Sequence, residues 1–267
     1  MTAAHNVQKN TQTITRQDYT PPSFLVENTE LDFSLDENQT RVRARLAMRR
    51  NPKATHEDDL YLDGEELNLI SVALDGNELS ANQFKATPEN LTVFNVPEAF
   101  TLETEVEINP AENTALEGLY RDSGGMLSTQ CEPEGFRRIT YYLDRPDVLS
   151  SFKVRMEGDK NAYPVLLSNG NKLEEGDADN GRHYAVWQDP HPKPCYLFAL
   201  VAGALDSLDD SFTTMSGKHV TLRLFTEKHN MHKTAYAMDA LKRAMRWDEQ
   251  KFGREYDLDI FMIVAVD

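Results

Sequence analysis

Cysteine is nearly absent, with Cys131 and Cys195 the only two in 267 residues. Two are too few for a disulfide framework or a thiolate metal site, and they make a reducing, cytoplasmic setting the default. Long apolar runs are missing as well. The longest, Tyr196 to Leu205 and Phe261 to Val266, fall short of the roughly 20 residues that a membrane-spanning helix needs. The opening residues 1–17 contain no apolar stretch that could act as a secretory signal, and they read as a loose polar tail. Positive charge is in deficit. Against 44 Asp and Glu stand 28 Lys and Arg, leaving a formal net charge of −16. Such a surface disfavours duplex nucleic acid and anionic membranes as partners, and it draws in cationic ligands, including peptides by their amino ends.

Composition is otherwise that of a globular chain, 40% hydrophobic and 27% charged, long enough for one large or two ordinary domains. From Phe24 to about Ala204 the patterning is that of strands. Leu31, Phe33 and Leu35 alternate with polar neighbours, and Val42, Ala44, Leu46 and Met48 alternate with Arg41, Arg43, Arg45 and Arg49, giving a half-buried strand with a basic outer face. Asp144-Arg145-Pro146 predicts a short helix running to Phe152. Asn169-Gly170 and Asn180-Gly181 predict two tight hairpins, because that dipeptide supplies the two positive-φ positions such turns require. The acidic Asp177-Ala178-Asp179-Asn180-Gly181 is not a calcium loop, since Gly181 stands where a ligand belongs and no Glu closes it. Beyond Leu205 the period changes. Val220, Leu222 and Leu224 form a strand, Met238, Leu241, Met245 and Phe252 mark a helix over 235–252 that Gly253 stops, and Ile260 to Val266 reads as a buried strand. The expected division is therefore a tail over 1–17, an all-β domain over 18–204, and the opening of a mixed α/β domain over 205–267. A core strand at the end of the sequence suggests that more of that domain follows.

Chemistry concentrates in 113–148. Gln130 and Glu132 stand two apart in extended sequence, a spacing that projects both from one face of a strand. Pro133 follows Glu132, where a cis peptide is cheapest. A carboxylate beside an amide suits a cationic ligand rich in N–H donors, such as an ammonium group; a polar turn capping a strand end would carry the same residues. Other sites are weaker. His-Glu-x-x-His is absent, as are a Gly-rich phosphate loop and a Gly-x-Ser-x-Gly elbow. His229 and His232 lie three apart, but in a charged run that reads as a solvent-facing first helical turn. Cys131, between Gln130 and Glu132, falls on the opposite, buried face, which argues against a nucleophile.

Thr129-Gln130-Cys131-Glu132-Pro133-Glu134-Gly135-Phe136-Arg137, continuing through Thr140-Tyr141-Tyr142-Leu143-Asp144-Arg145-Pro146-Asp147-Val148, resembles the bacterial aminopeptidase N family of zinc metallopeptidases. Asn113 to Tyr120, Trp187 to Gly203 and Trp247 to Asp267 are similar to the same family, so the likeness covers nearly everything after about Asp18. The resemblance implies a mainly β fold, with an N-terminal saddle-like β-sheet domain followed by the start of a thermolysin-like α/β catalytic domain. It implies that Gln130 and Glu132 bind the free α-amine of a peptide substrate, and that Glu132–Pro133 is cis. It also implies one zinc ion whose ligands, with the general base, lie beyond Asp267, leaving residues 1–267 alone without metal or turnover. The alternatives are a non-catalytic β-rich interaction module on the same fold, and a relative with epoxide-hydrolase activity. Retention of Gln130 and Glu132 argues against the first, and the long 140–148 match against the second.

Overall fold

The computed structural model describes residues 15–266. Of the expected tail, residues 1–14 lie outside the described residues, and Arg16–Asp18 form a single 3-10 turn. The fold is mostly β. Its largest element is an eight-stranded sheet in the order Asn171–Asp177, Arg182–Pro194, Leu149–Asp159, Phe24–Ser34, Thr40–Arg50, Ala99–Ile108, Asn68–Leu74 and Asn77–Glu78. Neighbours are antiparallel except Phe24–Ser34 and Leu149–Asp159, which run parallel.

Period-two alternation decides which face of this sheet is wet. Val42, Ala44, Leu46 and Met48 are buried, while the intervening arginines reach the surface. The register sets Arg43 opposite Glu105, Arg45 opposite Glu103 and Arg41 opposite Glu107, and ion pairs follow at 3.1, 3.4 and 3.7 Å. The basic stripe read from one strand is therefore half of a cross-strand ladder. Pairs this exposed add little stability, but they cancel the charge of the stripe.

The apolar face packs against a four-stranded sheet, ordered Val165–Ser168, Leu200–Gly203, Leu127–Gln130 and Gly118–Arg121, and against the small sheet Leu60–Asp63, Asn90–Val93, Phe84–Ala86. The aromatic centre of that core is Phe136. Its ring meets Tyr142 at 4.9 Å, Phe198 at 5.4 Å and Phe152 at 6.1 Å, all edge-on, a geometry that aromatic quadrupoles favour.

A third set of elements follows Leu205. Asp206–Thr213, His219–Thr226 and Ile260–Val264 form a three-stranded sheet, with the helix Thr234–Phe252 packed on it. Met238, Leu241 and Met245 on the helix meet Phe212, Val220, Leu222 and Leu224 in a second core. Gly253, at φ 61°, closes the helix by donating its N–H to Glu249 O at 2.9 Å.

Three local expectations are corrected. Asp144-Arg145-Pro146 starts no helix; after one turn the chain enters the strand Leu149–Asp159, because Phe152, Val154 and Met156 bury at a period of two. Asn180-Gly181 does make a hairpin, with φ 58° and 74°. Asn169-Gly170 instead carries the chain from the four-stranded sheet to the eight-stranded one. There Asn169 is held by a bond to Leu197 O at 3.1 Å and one from Ala199 N at 2.7 Å. Gly170 passes so close to the next strand that a Cβ would sit 2.1 Å from Gln188 O. Finally, the last strand is half-buried rather than buried. Ile260, Met262 and Val264 lean on the first core, and Phe261 and Ile263 on the second.

Candidate functional site

The strand Leu127–Gln130 sits between Gly118–Arg121 and Leu200–Gly203. Gln130 opposes Gly118, and Ser128 opposes Val201. Alternation persists past the strand end, so Cys131 is buried while Gln130 and Glu132 on either side are exposed. The two polar residues are joined directly, Gln130 Nε2 donating to the Glu132 carbonyl at 3.1 Å. That bond occupies the amide nitrogen and leaves the amide oxygen to accept. No hydrogen bond or ion pair within the described residues engages the Glu132 carboxylate.

Glu132–Pro133 is trans, which corrects the cis expectation; no peptide bond among the described residues is cis. Reversal of the chain is achieved elsewhere. Glu134 adopts φ 72°, and Gly135 N donates to Cys131 O at 3.1 Å, so trans, favoured by about 0.5–1 kcal/mol before proline, is retained. Gly135 is required for space rather than for its dihedrals. At φ −88° and ψ −18° it is ordinary right-handed backbone, but an added Cβ would lie 2.5 Å from Gln130 O, 3.0 Å from Gly118 N and 3.1 Å from Cys131 Cα.

The turn is tied down on its C-terminal side. Phe136 plugs the aromatic core, and Arg137 next to it is an ionic hub with 15% of its side chain exposed. Its backbone N and its Nε both donate to Asp144 Oδ2, at 3.1 and 3.0 Å, and Nη2 donates to Asp144 O at 3.3 Å. Nη1 lies 3.5 Å from Glu134 in the turn, and Nη2 lies 3.8 Å from Asp63. The Asp144 carboxylate, 3% exposed, accepts in addition from Cys195 Sγ at 3.1 Å. Burial opposes the charge on Arg137, yet the Asp144 hydrogen bond and the charges of Asp63, Asp144 and Glu134 keep its pKa above the usual arginine value. Asp63 is pushed up by burial, which outweighs the pull of Arg137; the longer Arg137 contact fits a weaker partner. On the N-terminal side, Asn113 donates to Glu117 O and Leu119 O at 2.7 and 2.9 Å, bracing the strand opposite Gln130.

Sequence reasoning did not find Arg137, Asp144, Glu134 or the bracing role of Asn113. Arg137 and Asp144 lie seven residues apart in charged sequence, and nothing in that spacing announces a buried pair. A usable signal was Phe136, an apolar residue interrupting polar sequence directly after the turn.

The discounted sites fit their simpler readings. Burial, with the Asp144 charge nearby, raises both the Cys131 and Cys195 thiols well above the ordinary cysteine value, which disables them as nucleophiles. His229 and His232 lie in the 3-10 segment Lys228–Lys233, where His232 Nδ1 contacts His229 O at 3.0 Å. Among the described residues, no group of three or more His, Cys, Asp or Glu is placed to hold a metal ion, and no helix is long and apolar enough to cross a membrane.

The candidate site lies one strand from the seam between the two cores. Val201, the register partner of Ser128, lines a cavity of about 230 Å³ together with Ile260, Met262 and Val264.

The Gln130–Glu132 pair is thus exposed at the end of an inner strand of a β scaffold that is followed by a three-stranded sheet carrying one helix. Residues 25–197 match the Peptidase M1 N-terminal domain, and the chain belongs to that family. It is 54% identical over 255 residues to aminopeptidase N of Caulobacter vibrioides, across 96% of this chain and 29% of that protein. Among solved structures it superposes on Legionella pneumophila aminopeptidase A in complex with aspartic acid at a TM-score of 0.88 and 36% identity, covering 94% of this chain and 30% of that one. An M1 zinc metallopeptidase from Deinococcus radiodurans, bound to a Tyr-Ser-Ala substrate, shares the fold at a TM-score of 0.76 and 16% identity, over 92% and 57% of the two chains. The chain thus spans less than a third of the curated relative's length.

Proposed function

We propose that this chain supplies the substrate-amine anchor of a zinc-dependent aminopeptidase that removes N-terminal residues from peptides, working in the cytoplasm. Gln130 and Glu132 take the α-ammonium, the carboxylate by a charge-assisted hydrogen bond and the amide through its oxygen. An exopeptidase must measure one residue from the chain end, and fixing the ammonium fixes where the first peptide bond lies. The observation that carries this reading is the exposed, unpaired Glu132 carboxylate on a turn braced from both sides, in a family whose relatives are named aminopeptidases. The acidic balance of the chain favours the approach of a cationic end. The boundary near Ala204, with an all-β domain over 18–204 and the start of a thermolysin-like catalytic domain over 205–267, belongs to the same proposal.

Among the described residues no group of His, Cys, Asp or Glu is placed to hold zinc, so the ion would be held by residues outside this stretch. What this chain does is bind and orient. A hydrogen bond to a charged group contributes about 1.5–3 kcal/mol net. In the full-length enzyme, Glu132→Ala is expected to lower kcat/KM for aminoacyl substrates by roughly ten- to hundredfold. Wild-type-like kcat/KM in that variant would remove Glu132 from the site.

A further inference from the structure

The Glu132 turn makes few contacts of its own. Glu132, Pro133 and Glu134 are all exposed, and Glu134 is held in left-handed backbone that a glutamate adopts at a cost. On its far side lies a cavity of about 580 Å³, lined by Tyr61, Asp63, Glu134, Arg137 and Asp144 among others. Packing closes the base of the turn at Gly135 and Phe136 but leaves its Glu132–Glu134 tip unsupported. One side chain spans that gap. Arg137 reaches Glu134 with Nη1 and the buried Asp144 with Nε, and Asp144 is fixed in turn by the Arg137 backbone N–H and by Cys195.

We propose that Arg137 is the positioning residue for Glu132. Its guanidinium ties the anchor turn to the buried Asp144, so that the Glu132 carboxylate is held at a set distance from the scaffold. This rests on the amine-anchor reading above. Arg137 does not touch the substrate; it acts through the turn. The planar fork matters, because arginine offers separate nitrogens, Nε to Asp144 and Nη1 to Glu134, where lysine has a single ammonium on a flexible stem. Freed from the fork, the turn can relax toward the cavity and relieve the Glu134 backbone, carrying Glu132 away from the ammonium.

The test measures binding to the full-length protein of two probes, an L-amino acid hydroxamate with a free α-amine and its N-acetylated counterpart. The variants are Arg137→Met, Arg137→Lys and, as reference, Glu132→Ala. Glu132→Ala should weaken the free-amine probe roughly tenfold or more and leave the acetylated one unchanged. Arg137→Met should produce the same selective loss, about five- to tenfold, since displacement of an anchoring group by about an ångström has effects of at least that size. Arg137→Lys should fall between it and wild type. A melting curve shows whether Arg137→Met is folded; if it is not, Arg137→Lys decides by the same criterion. Selective loss in Glu132→Ala with wild-type binding in the Arg137 variants would overturn the positioning role and leave the amine reading standing. Equal loss of both probes in the Arg137 variants would show a merely structural role and also overturn it. Unselective behaviour of Glu132→Ala would end both readings together.

Discussion

Replacing Gly135 by alanine isolates the steric demand of the candidate site from every other effect of a glycine. At φ −88° and ψ −18° the backbone is open to any L-residue. With no neighbours, the change would stabilise by about 0.4–1 kcal/mol, through loss of freedom in the unfolded chain. The neighbours reverse the sign. The new methyl would stand 2.5 Å from Gln130 O, 3.0 Å from Gly118 N and 3.1 Å from Cys131 Cα. All three are backbone atoms, so no rotamer change relieves the overlap. Either the end of the Gln130 strand moves or the Cys131–Gly135 turn opens, and overpacking of that kind costs about 1–3 kcal/mol. Taking the middle of each range, the balance is a loss of about 1.3 kcal/mol, worth roughly 3–5 °C in Tm for a chain of this size. Thermal unfolding of the isolated 267-residue chain, followed by circular dichroism, measures it. In the full-length enzyme the same variant should lose affinity for the free-amine probe. An unchanged or raised Tm would show that the turn has slack, and would refute the claim that Gly135 is required for space.

Two further expectations concern the scaffold. Hydrogen bonding by Arg155, at 2.6 Å, and by Arg182, at 2.9 Å, holds the Glu157 carboxyl below its usual value. A depressed folded-state pKa gives stability that is complete above about pH 4.3 and is lost as pH falls through the folded value. Glu157→Gln should therefore lose less stability than wild type between about pH 6 and pH 3, read from urea midpoints; parallel loss would show that the pair is screened. Cys131 and Cys195 should resist an aromatic disulfide reagent in the native chain and react fully once it is unfolded, since burial raises both thiols. Rapid native reaction of either would show that the core around Asp144 opens.

Much of the fold was legible from periodicity. The alternation through Val42–Met48, the helix stopped by Gly253 and the hairpin at Asn180-Gly181 all follow from rules local to a few residues. Local rules failed where a distant strand decided. Asn169-Gly170 has the composition of a hairpin but serves a crossing between sheets, because its strands pair with Leu200–Gly203 and Arg182–Pro194 rather than with each other. Asp144-Arg145-Pro146 looks like a helix start, yet the parallel partner Phe24–Ser34 recruits the residues after it into a strand. The cis peptide expected at Pro133 proved unnecessary because Glu134 and Gly135 already turn the chain.

The sequence by itself determined which side chains could matter. A spacing of two put Gln130 and Glu132 on one side of the chain and Cys131 on the other, and that follows from the pleat alone. Only the tertiary structure decided what holds them there. Arg137 and Asp144 meet Cys195 because a turn some fifty residues further along the chain packs on the same core. A charge pair becomes a fixed support only where that packing removes water, and burial is a property of the assembled core rather than of any stretch of chain.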